Sequence, residues 1–278
     1  MANFSSVKSV YERPARKLDH LGEELAFYVK ALAWTPRTIR RYKKEILRIL
    51  AEVTLGSGAL AVIGGTVGVI TAMCFFTGTE VGLQGYAALN QIGTAAFSGF
   101  VSAYFNTREI APLVAAIALA ATVGCGFTAQ LGAMRISEEV DALEVMAIPS
   151  LPFLVTTRII GGLIAIIPLY VVGLLASYFA TRLTVTQFFG QSAGTYDHYF
   201  NQFLPPGDVL WSFGKVLVFA VVVILIHCYH GYTASGGPAG VGVAVGRAVR
   251  TSIVAINIID LFLSMAIWGT TTTVRLAG

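Results

Sequence analysis

Residues 135–149 read RISEEVDALEVMAIP, a charged stretch between two long apolar segments. Four of the chain's fifteen acidic residues fall within seven positions here, namely Glu138, Glu139, Asp141 and Glu144. The apolar residues recur at helical spacing and share one helix face, which carries Ile136, Val140, Leu143 and Ala147. Ser137 suits the N-cap, and Pro149 closes the element. Two interpretations stay open: a polar connector between membrane spans, or a helix that docks by one face and offers its acids to a soluble partner.

The composition of the whole chain is that of an all-α integral membrane protein. Hydrophobic residues make up 55% of it and charged residues 12%, with a mean hydropathy of +0.72, which excludes an ordinary soluble domain. Eleven of the nineteen Lys and Arg residues lie in the first 48 positions, so the net charge of +4 describes a basic N-terminal segment and excludes a nucleic-acid-binding surface. Cys74, Cys125 and Cys228 lie in apolar segments and are expected to be buried thiols.

Residues 1–50 are expected to form a cytoplasmic or interfacial N-terminal segment, ahead of a membrane domain over 51–278. An amphipathic helical pattern begins at Lys17, with Leu18, Leu21, Leu25, Tyr28 and Leu32 on one face. We expect this helix to lie flat at the membrane interface; a small soluble helical hairpin is the alternative. No signal-peptide segment is seen in the first fifty residues, and six cations within residues 37–48 place this side in the cytoplasm.

Five transmembrane helices are predicted, at about 53–76, 110–132, 153–180, 209–230 and 251–273. The apolar segment 86–132 is long enough for two spans, but two would put residues 135–149 outside the cell. Arg108 and Glu109 interrupt that segment. We therefore expect a re-entrant or peripheral helix at 88–105, outer loops at 77–85 and 181–207, and a glycine-rich cytoplasmic turn at 235–246.

Several residues within the apolar segments are candidates for special roles. Gly64, Gly65 and Gly68 suit close helix packing or a dimer face. Ionisable groups are costly inside a membrane, which singles out Arg108, Glu109, Arg158 and Asp260. Asp260 is expected to be structural, paired inside the helix bundle with Arg158 or Arg108. A proton-carrying role in an ion-coupled secondary transporter is the alternative.

The sequence carries no motif for enzymatic chemistry. Gly214-Lys215 lacks the earlier glycine and the Ser or Thr of a phosphate-binding loop, so any ATP must be hydrolysed by another chain. His227 and His230 share a helix face, but no third metal ligand is evident nearby. We therefore predict a chain that is not an enzyme and holds neither a metal nor a cofactor.

Five motifs in order resemble the MlaE/YrbE family of ABC-transporter permeases. Along the chain they are GLQGY from Gly82, REIAPLV from Arg108, GAMR from Gly132, EEVDALEVM from Glu138 with Pro149 after it, and the glycine-rich segment from Gly231 to Gly242 followed by Asp260. The resemblance covers about residues 50–270. It implies a permease dimer in the bacterial inner membrane, a cytoplasmic ATPase that holds ATP and Mg, and MCE-domain proteins as further partners. It also implies a coupling helix that contacts the ATPase, formed here by Arg135, Glu138, Glu139, Asp141, Ala142, Leu143 and Glu144.

Two positions depart from the family pattern. The family's usual Arg and Glu are replaced here by Thr122 and Gln130, so two charges are lost together. This departure resembles the B-type YrbE subunits of actinobacterial Mce systems, in which two different permeases pair. The resulting expectation is one subunit of an ATP-driven transporter of fatty acid, phospholipid or sterol. A non-transporting membrane anchor for an MCE assembly is a further alternative.

Overall fold

The computed structural model describes residues 21–55 and 65–269, and the regular structure in these two segments is helical throughout. In chain order the helices are α1 (21–33), α2 (Thr35–Arg41), α3 (Lys43–Leu55), α4 (Thr66–Gln91), α5 (Ala95–Ile136), α6 (Glu139–Val145), α7 (Leu151–Phe188), α8 (Ala193–Gln202), α9 (Pro206–Tyr232) and α10 (Gly237–Trp268). Among them, α4, α5, α7, α9 and α10 are long and apolar enough to cross a membrane. The prediction of an all-α membrane protein with five spans is confirmed.

The first span begins and ends later than predicted. It runs from Thr66 to Gln91, so residues 77–85 are not a loop. The hydroxyl groups of Thr77 and Thr79 donate to the carbonyls of Met73 and Phe75, at 2.8 and 3.0 Å. The hydrogen-bonding needs of these hydroxyl groups are therefore met within their own helix. The helix can continue through a segment whose glycines and threonines suggested a break.

The re-entrant or peripheral helix predicted at 88–105 is wrong. Residues 88–91 end α4, and a short turn containing Gly93 at φ 72° leads directly into α5. The helix α5 is continuous for 42 residues and contains π-helical stretches at Ser102–Ile110 and Ala120–Gly124. Arg108 and Glu109 do not break it because their charges are paired inside the bundle.

Helix α7 is also longer than predicted and extends to Phe188, well into the supposed loop 181–207. The short helix α8 occupies the rest of that loop. The glycine-rich turn predicted at 235–246 is wrong as well, because α10 begins at Gly237. Only the αL residues Gly236 and Gly237, at φ 88° and 69°, need glycine to turn the chain.

The bundle is centred on α5, α7 and α9, whose most apolar stretches are 50–61% buried. The corresponding stretches of α4 and α10 are 22% and 11% buried, so these two helices flank the bundle and leave much apolar surface exposed. Leu119, Ile166 and Phe219 contribute one fully buried side chain from each central helix.

Close packing of α4 on α7 depends on glycines that the sequence analysis did not select. A Cβ atom added at Gly78 would lie 2.4 Å from the carbonyl oxygen of Ser177, and one at Gly82 would lie 2.9 Å from Thr184 Cβ. These two glycines form the small-residue spacing that lets membrane helices approach. Of the glycines selected, Gly64 lies outside the described residues. Gly65 precedes α4 and Gly68 lies in its first turn, both half-buried, and their role in a dimer stays a prediction.

The N-terminal helices pack against the end of the bundle where α5 ends and α7 begins, which we call the connector end. The Thr156 hydroxyl of α7 donates to the Ala31 carbonyl of α1 at 2.9 Å, and the ring of Tyr42 packs edge-on against Phe153. Leu21 and Leu25 of the predicted stripe are 54% and 62% exposed, whereas Leu18 lies outside the described residues. The helix is confirmed, and its position at the membrane interface stays a prediction.

Candidate functional site

The charged stretch 135–149 connects α5 to α7 through the short helix α6. It does not form one helix with the apolar stripe predicted from spacing, because α5 continues to Ile136 and a turn precedes Glu139. Ser137 therefore closes α5 and is not the N-cap of the following helix: its hydroxyl donates to the Ala133 carbonyl at 2.9 Å. Of the predicted stripe, Val140 is fully buried and Leu143 is half-buried against the core, while Ala147 is exposed.

Left-handed backbone frames α6 on both sides. Glu138 has φ 61° and Ala147 has φ 59°, and they are the only non-glycine residues with positive φ in the described segments. Such a conformation costs about 1–3 kcal/mol per residue and persists only where the surrounding structure imposes it. Here it turns the chain out of α5, along α6, and back into α7.

The acidic residues of the connector are exposed, as the docking interpretation requires, but they are not equivalent. Asp141 forms an ion pair with Arg135 at 2.6 Å, and Glu144 accepts a hydrogen bond from Ser150 at 2.6 Å. Ser150 also exchanges a hydrogen bond with the Tyr232 hydroxyl at 2.7 Å, which ties the connector to α9. Glu138 forms no ion pair with another residue of the described chain and is the acid most available to a partner.

An exposed apolar tip accompanies these acids. Val145 is 88% exposed and Met146 is 61% exposed, directly after Glu144, while Ala142 is exposed on the helix itself. Helical spacing did not single out these two large residues, because they lie off the stripe of Val140 and Leu143. Two large apolar side chains on the polar side of an amphipathic segment could have been recognised from the sequence as an exposed contact surface. Acids beside an aliphatic tip form a surface suited to a groove with a basic rim.

A second polar group lies inside the bundle, toward the end opposite the connector. Lys215 of α9 is fully buried and forms ion pairs with Asp260 at 2.7 Å and Glu109 at 3.2 Å. Its ammonium group also donates to the Arg108 carbonyl and to the Ser264 hydroxyl, at 2.7 and 2.8 Å. Asp260 is therefore paired inside the bundle as predicted, but the predicted partners, Arg158 and Arg108, are wrong. The partner on the adjacent helix is a lysine that was considered only as part of a phosphate loop.

Arg108 belongs to the same cluster through a different acid. Its guanidinium bonds to Asp208 at 2.6–2.7 Å and lies over the rings of Tyr104 and Trp268, at 4.2 and 5.2 Å from their centroids. The Trp268 indole donates to Asp208 at 3.0 Å. Two cations and three carboxylates from α5, α9 and α10 are thus joined, which satisfies charges that would be costly inside a membrane. Lys215, in the apolar segment of α9, could have been flagged from its position alone.

Arg158 lies in a separate polar group. It donates to the Leu154 carbonyl at 2.7 Å and to the Gln130 side-chain oxygen at 3.1 Å. The Gln130 amide in turn donates to Glu52 of α3. Gln130 and Thr122 line a cavity of about 320 Å³ between α3, α4 and α5, so the two positions that depart from the family pattern share one surface.

His227 and His230 lie in the last two turns of α9. His227 is buried and its Nδ1 lies 2.8 Å from the Thr128 hydroxyl. In the two segments that the structure describes, no three His, Cys, Asp or Glu side chains come together in a metal-binding group.

Comparison with known proteins places the sequence among membrane permeases. Residues 56–266 match the family described as Permease MlaE. A probable ABC transporter permease protein of Rickettsia bellii is 30% identical over 190 residues, which cover 68% of this chain and 73% of that protein. The intermembrane phospholipid transport system permease protein MlaE of Haemophilus influenzae is 27% identical over 195 residues, covering 70% of this chain and 75% of that protein. The chloroplastic protein TRIGALACTOSYLDIACYLGLYCEROL 1 of Arabidopsis thaliana is 30% identical over 196 residues, with 69% and 56% covered.

Proposed function

The chain belongs to the MlaE permease family, and from this premise we propose that it is the membrane subunit of an ATP-driven lipid transporter. The observation that carries the proposal is the connector, a short helix with exposed acids and an exposed aliphatic tip, held by backbone turns at both ends. A separate ATPase, which binds ATP and Mg, would dock on this surface. Closure of that ATPase would push α6 against the ends of α5 and α7 and so change the shape of the bundle.

A second permease subunit is part of the proposal. Helices α4 and α10 have the smallest buried share of the five spans, and α10 presents Val254, Ile258, Leu261 and Phe262, each more than half exposed. A partner permease facing these two helices would enclose an apolar cavity wide enough for lipid. Thr122 and Gln130 support a heterodimer of the B-type YrbE kind, and MCE-domain proteins would receive or deliver the fatty acid, phospholipid or sterol.

Reconstitution of the complex from its native membrane into liposomes tests the function. We expect transfer of fluorescent phospholipid that requires ATP, together with ATP turnover that lipid stimulates. Transfer that needs a proton gradient and no ATP would instead identify an ion-coupled secondary transporter, for which the buried cluster around Lys215 is the favouring observation. Assembly with MCE proteins but no transfer under either condition would identify a membrane anchor.

The proposed orientation puts the connector and the N-terminal helices in the cytoplasm of a bacterial cell, with α8 outside. Ser137 of the connector and Ser192 before α8 are both exposed. In a background in which the three native cysteines are replaced by alanine, Ser137→Cys should react with an impermeant thiol reagent only after the membrane is opened. Ser192→Cys should react in intact cells, and labelling of both from one side would contradict the span arrangement.

A further inference from the structure

A cavity of about 280 Å³ lies beside α2 at the connector end, outside the five spans. Residues from α2 and its flanks line it together with Pro149, and those that matter here are Trp34, Arg37, Thr38, Arg40, Arg41 and Tyr42. The cavity therefore lies between a basic helix and the residue at which the chain turns toward α7. Three arginine residues and two aromatic residues contribute to its lining.

The three arginines of this cavity have no acidic partner within the described residues. Glu45, the acid that follows them, is held by Arg48 at 2.5–3.0 Å. Arg37 lies over the ring of Trp34, 5.3 Å from its centroid, and Arg41 lies over Tyr42 at 5.7 Å. Stacking positions these guanidinium groups while leaving their N–H donors free for an anion.

Thr38 gives an independent indication of a ligand. Its side chain is 1% exposed, and its hydroxyl has no hydrogen-bond partner. Other helical threonines in the chain, such as Thr71 and Thr77, donate to the carbonyl four residues earlier at 2.7 and 2.8 Å. A buried hydroxyl without a partner is unfavourable, so a polar ligand in the cavity that reached this hydroxyl would relieve that cost.

We propose that this cavity binds the phosphate-bearing headgroup of an anionic membrane lipid. Arg37 and Arg40 would bind the phosphate oxygens, the Thr38 hydroxyl would hydrogen-bond to the ester oxygens, and Trp34 and Tyr42 would pack against the glycerol portion. A lipid fits better than a free phosphate ion because aromatic and proline side chains form much of the wall. The exposed leucines of α1 also suit the predicted position of this region at a bilayer surface.

The experiment uses the purified full-length complex in neutral detergent, with native mass spectrometry to count bound lipid and thermal unfolding as a second readout. The added probes are dioleoylphosphatidylglycerol, dioleoylphosphatidylcholine and inorganic phosphate. We expect the anionic lipid to bind and to raise the unfolding temperature more than the zwitterionic lipid does. The double variant Arg37→Gln/Arg40→Gln should weaken this binding by about tenfold or more, given the contribution of each cation near an anionic headgroup.

Lys43→Gln/Lys44→Gln is the matched control, because it removes the same charge from the same basic run without touching the cavity. It should keep the wild-type affinity within about threefold. An equal loss of lipid affinity in both double variants would show that binding depends only on the overall positive charge of the basic segment. That result would overturn the proposed site. Equal binding of the two lipids would overturn it too, and so would inorganic phosphate producing the full thermal shift by itself.

Thr38→Val separates a ligand contact from a folding defect. Without lipid, the variant should unfold at the same or a higher temperature, since an unpartnered hydroxyl is replaced by a methyl group of the same shape. With phosphatidylglycerol it should gain less stability than the wild type. An unchanged gain would show that the hydroxyl does not face the headgroup and would contradict the proposed arrangement.

Discussion

Replacement of Lys215 by methionine is expected to leave little folded protein in the membrane. The lysine side chain is fully buried and carries the ion pairs to both Asp260 and Glu109. Removing one partner of a buried ion pair costs about 3–5 kcal/mol, because the remaining charges keep their desolvation penalty. We expect the lower end, about 3 kcal/mol, because the Glu109 side chain is 36% exposed and can be partly solvated. That loss is a large share of the ~5–15 kcal/mol stability of a typical protein.

Two comparisons make this prediction specific to burial. Arg182→Met breaks the pair with Asp197, in which both side chains are 44–46% exposed, and should cost no more than about 1 kcal/mol. Adding Asp260→Asn to Lys215→Met should restore part of the yield, because it removes one of the stranded carboxylates. The measurements are the amount of membrane-inserted protein and its unfolding temperature in detergent. Equal losses of yield and unfolding temperature from Lys215→Met and Arg182→Met would show that the buried cluster does not stabilise the bundle.

Asp260→Asn alone also distinguishes a structural cluster from a proton carrier. A structural role predicts lower stability of the complex with an unchanged pH dependence of transport. A complex that assembles normally but loses the pH dependence of its transport would favour ion coupling instead.

Val145→Asp in the connector is expected to reduce ATP turnover of the complex by about tenfold or more while leaving the permease folded. The side chain is 88% exposed in the isolated subunit, so the substitution should change its folding free energy by only about 0.5 kcal/mol. In the docked complex, the same side chain would be buried in the ATPase groove. An aspartate there would carry an unpaired charge into the groove, and burying an unsatisfied charged group costs about 2 kcal/mol or more.

Other connector variants grade the same effect. Glu138→Arg should weaken docking through charge repulsion at the rim, with a smaller loss than Val145→Asp. Leu143→Asp should be severe for a different reason, because Leu143 packs against the core and seats α6. Pull-down of the ATPase and ATP turnover are measured side by side.

Ile92→Asp serves as the control: Ile92 is 72% exposed in the turn between α4 and α5, away from the connector, and the variant should dock normally. Normal docking in all three connector variants would leave residues 135–149 as a simple link.

Several features of this protein follow from its sequence alone. Apolar segments of sufficient length can satisfy their backbone in a bilayer only as helices, so the sequence determines the all-α class. The count of five spans also required the argument that residues 135–149 lie in the cytoplasm. The excess of acids in residues 135–149 likewise marks the connector as exposed. Local patterns were misleading at residues 77–85 and 235–246, because glycine and threonine weaken a helix in water but are compatible with one inside a membrane bundle.

The polar partners were decided only by the tertiary structure. Arg108 meets Asp208 across 100 residues of sequence, and Lys215 meets Glu109 across 106. Helical periodicity relates residues three or four positions apart, whereas contacts between helices depend on how far each helix extends and how it is rotated. The length of α5, which continues through Arg108 and Glu109, was therefore the missing quantity. The left-handed backbone of Glu138 and Ala147 was also decided by the tertiary structure. It is imposed because the chain must return from α5 to α7, and neither glutamate nor alanine favours this conformation by itself.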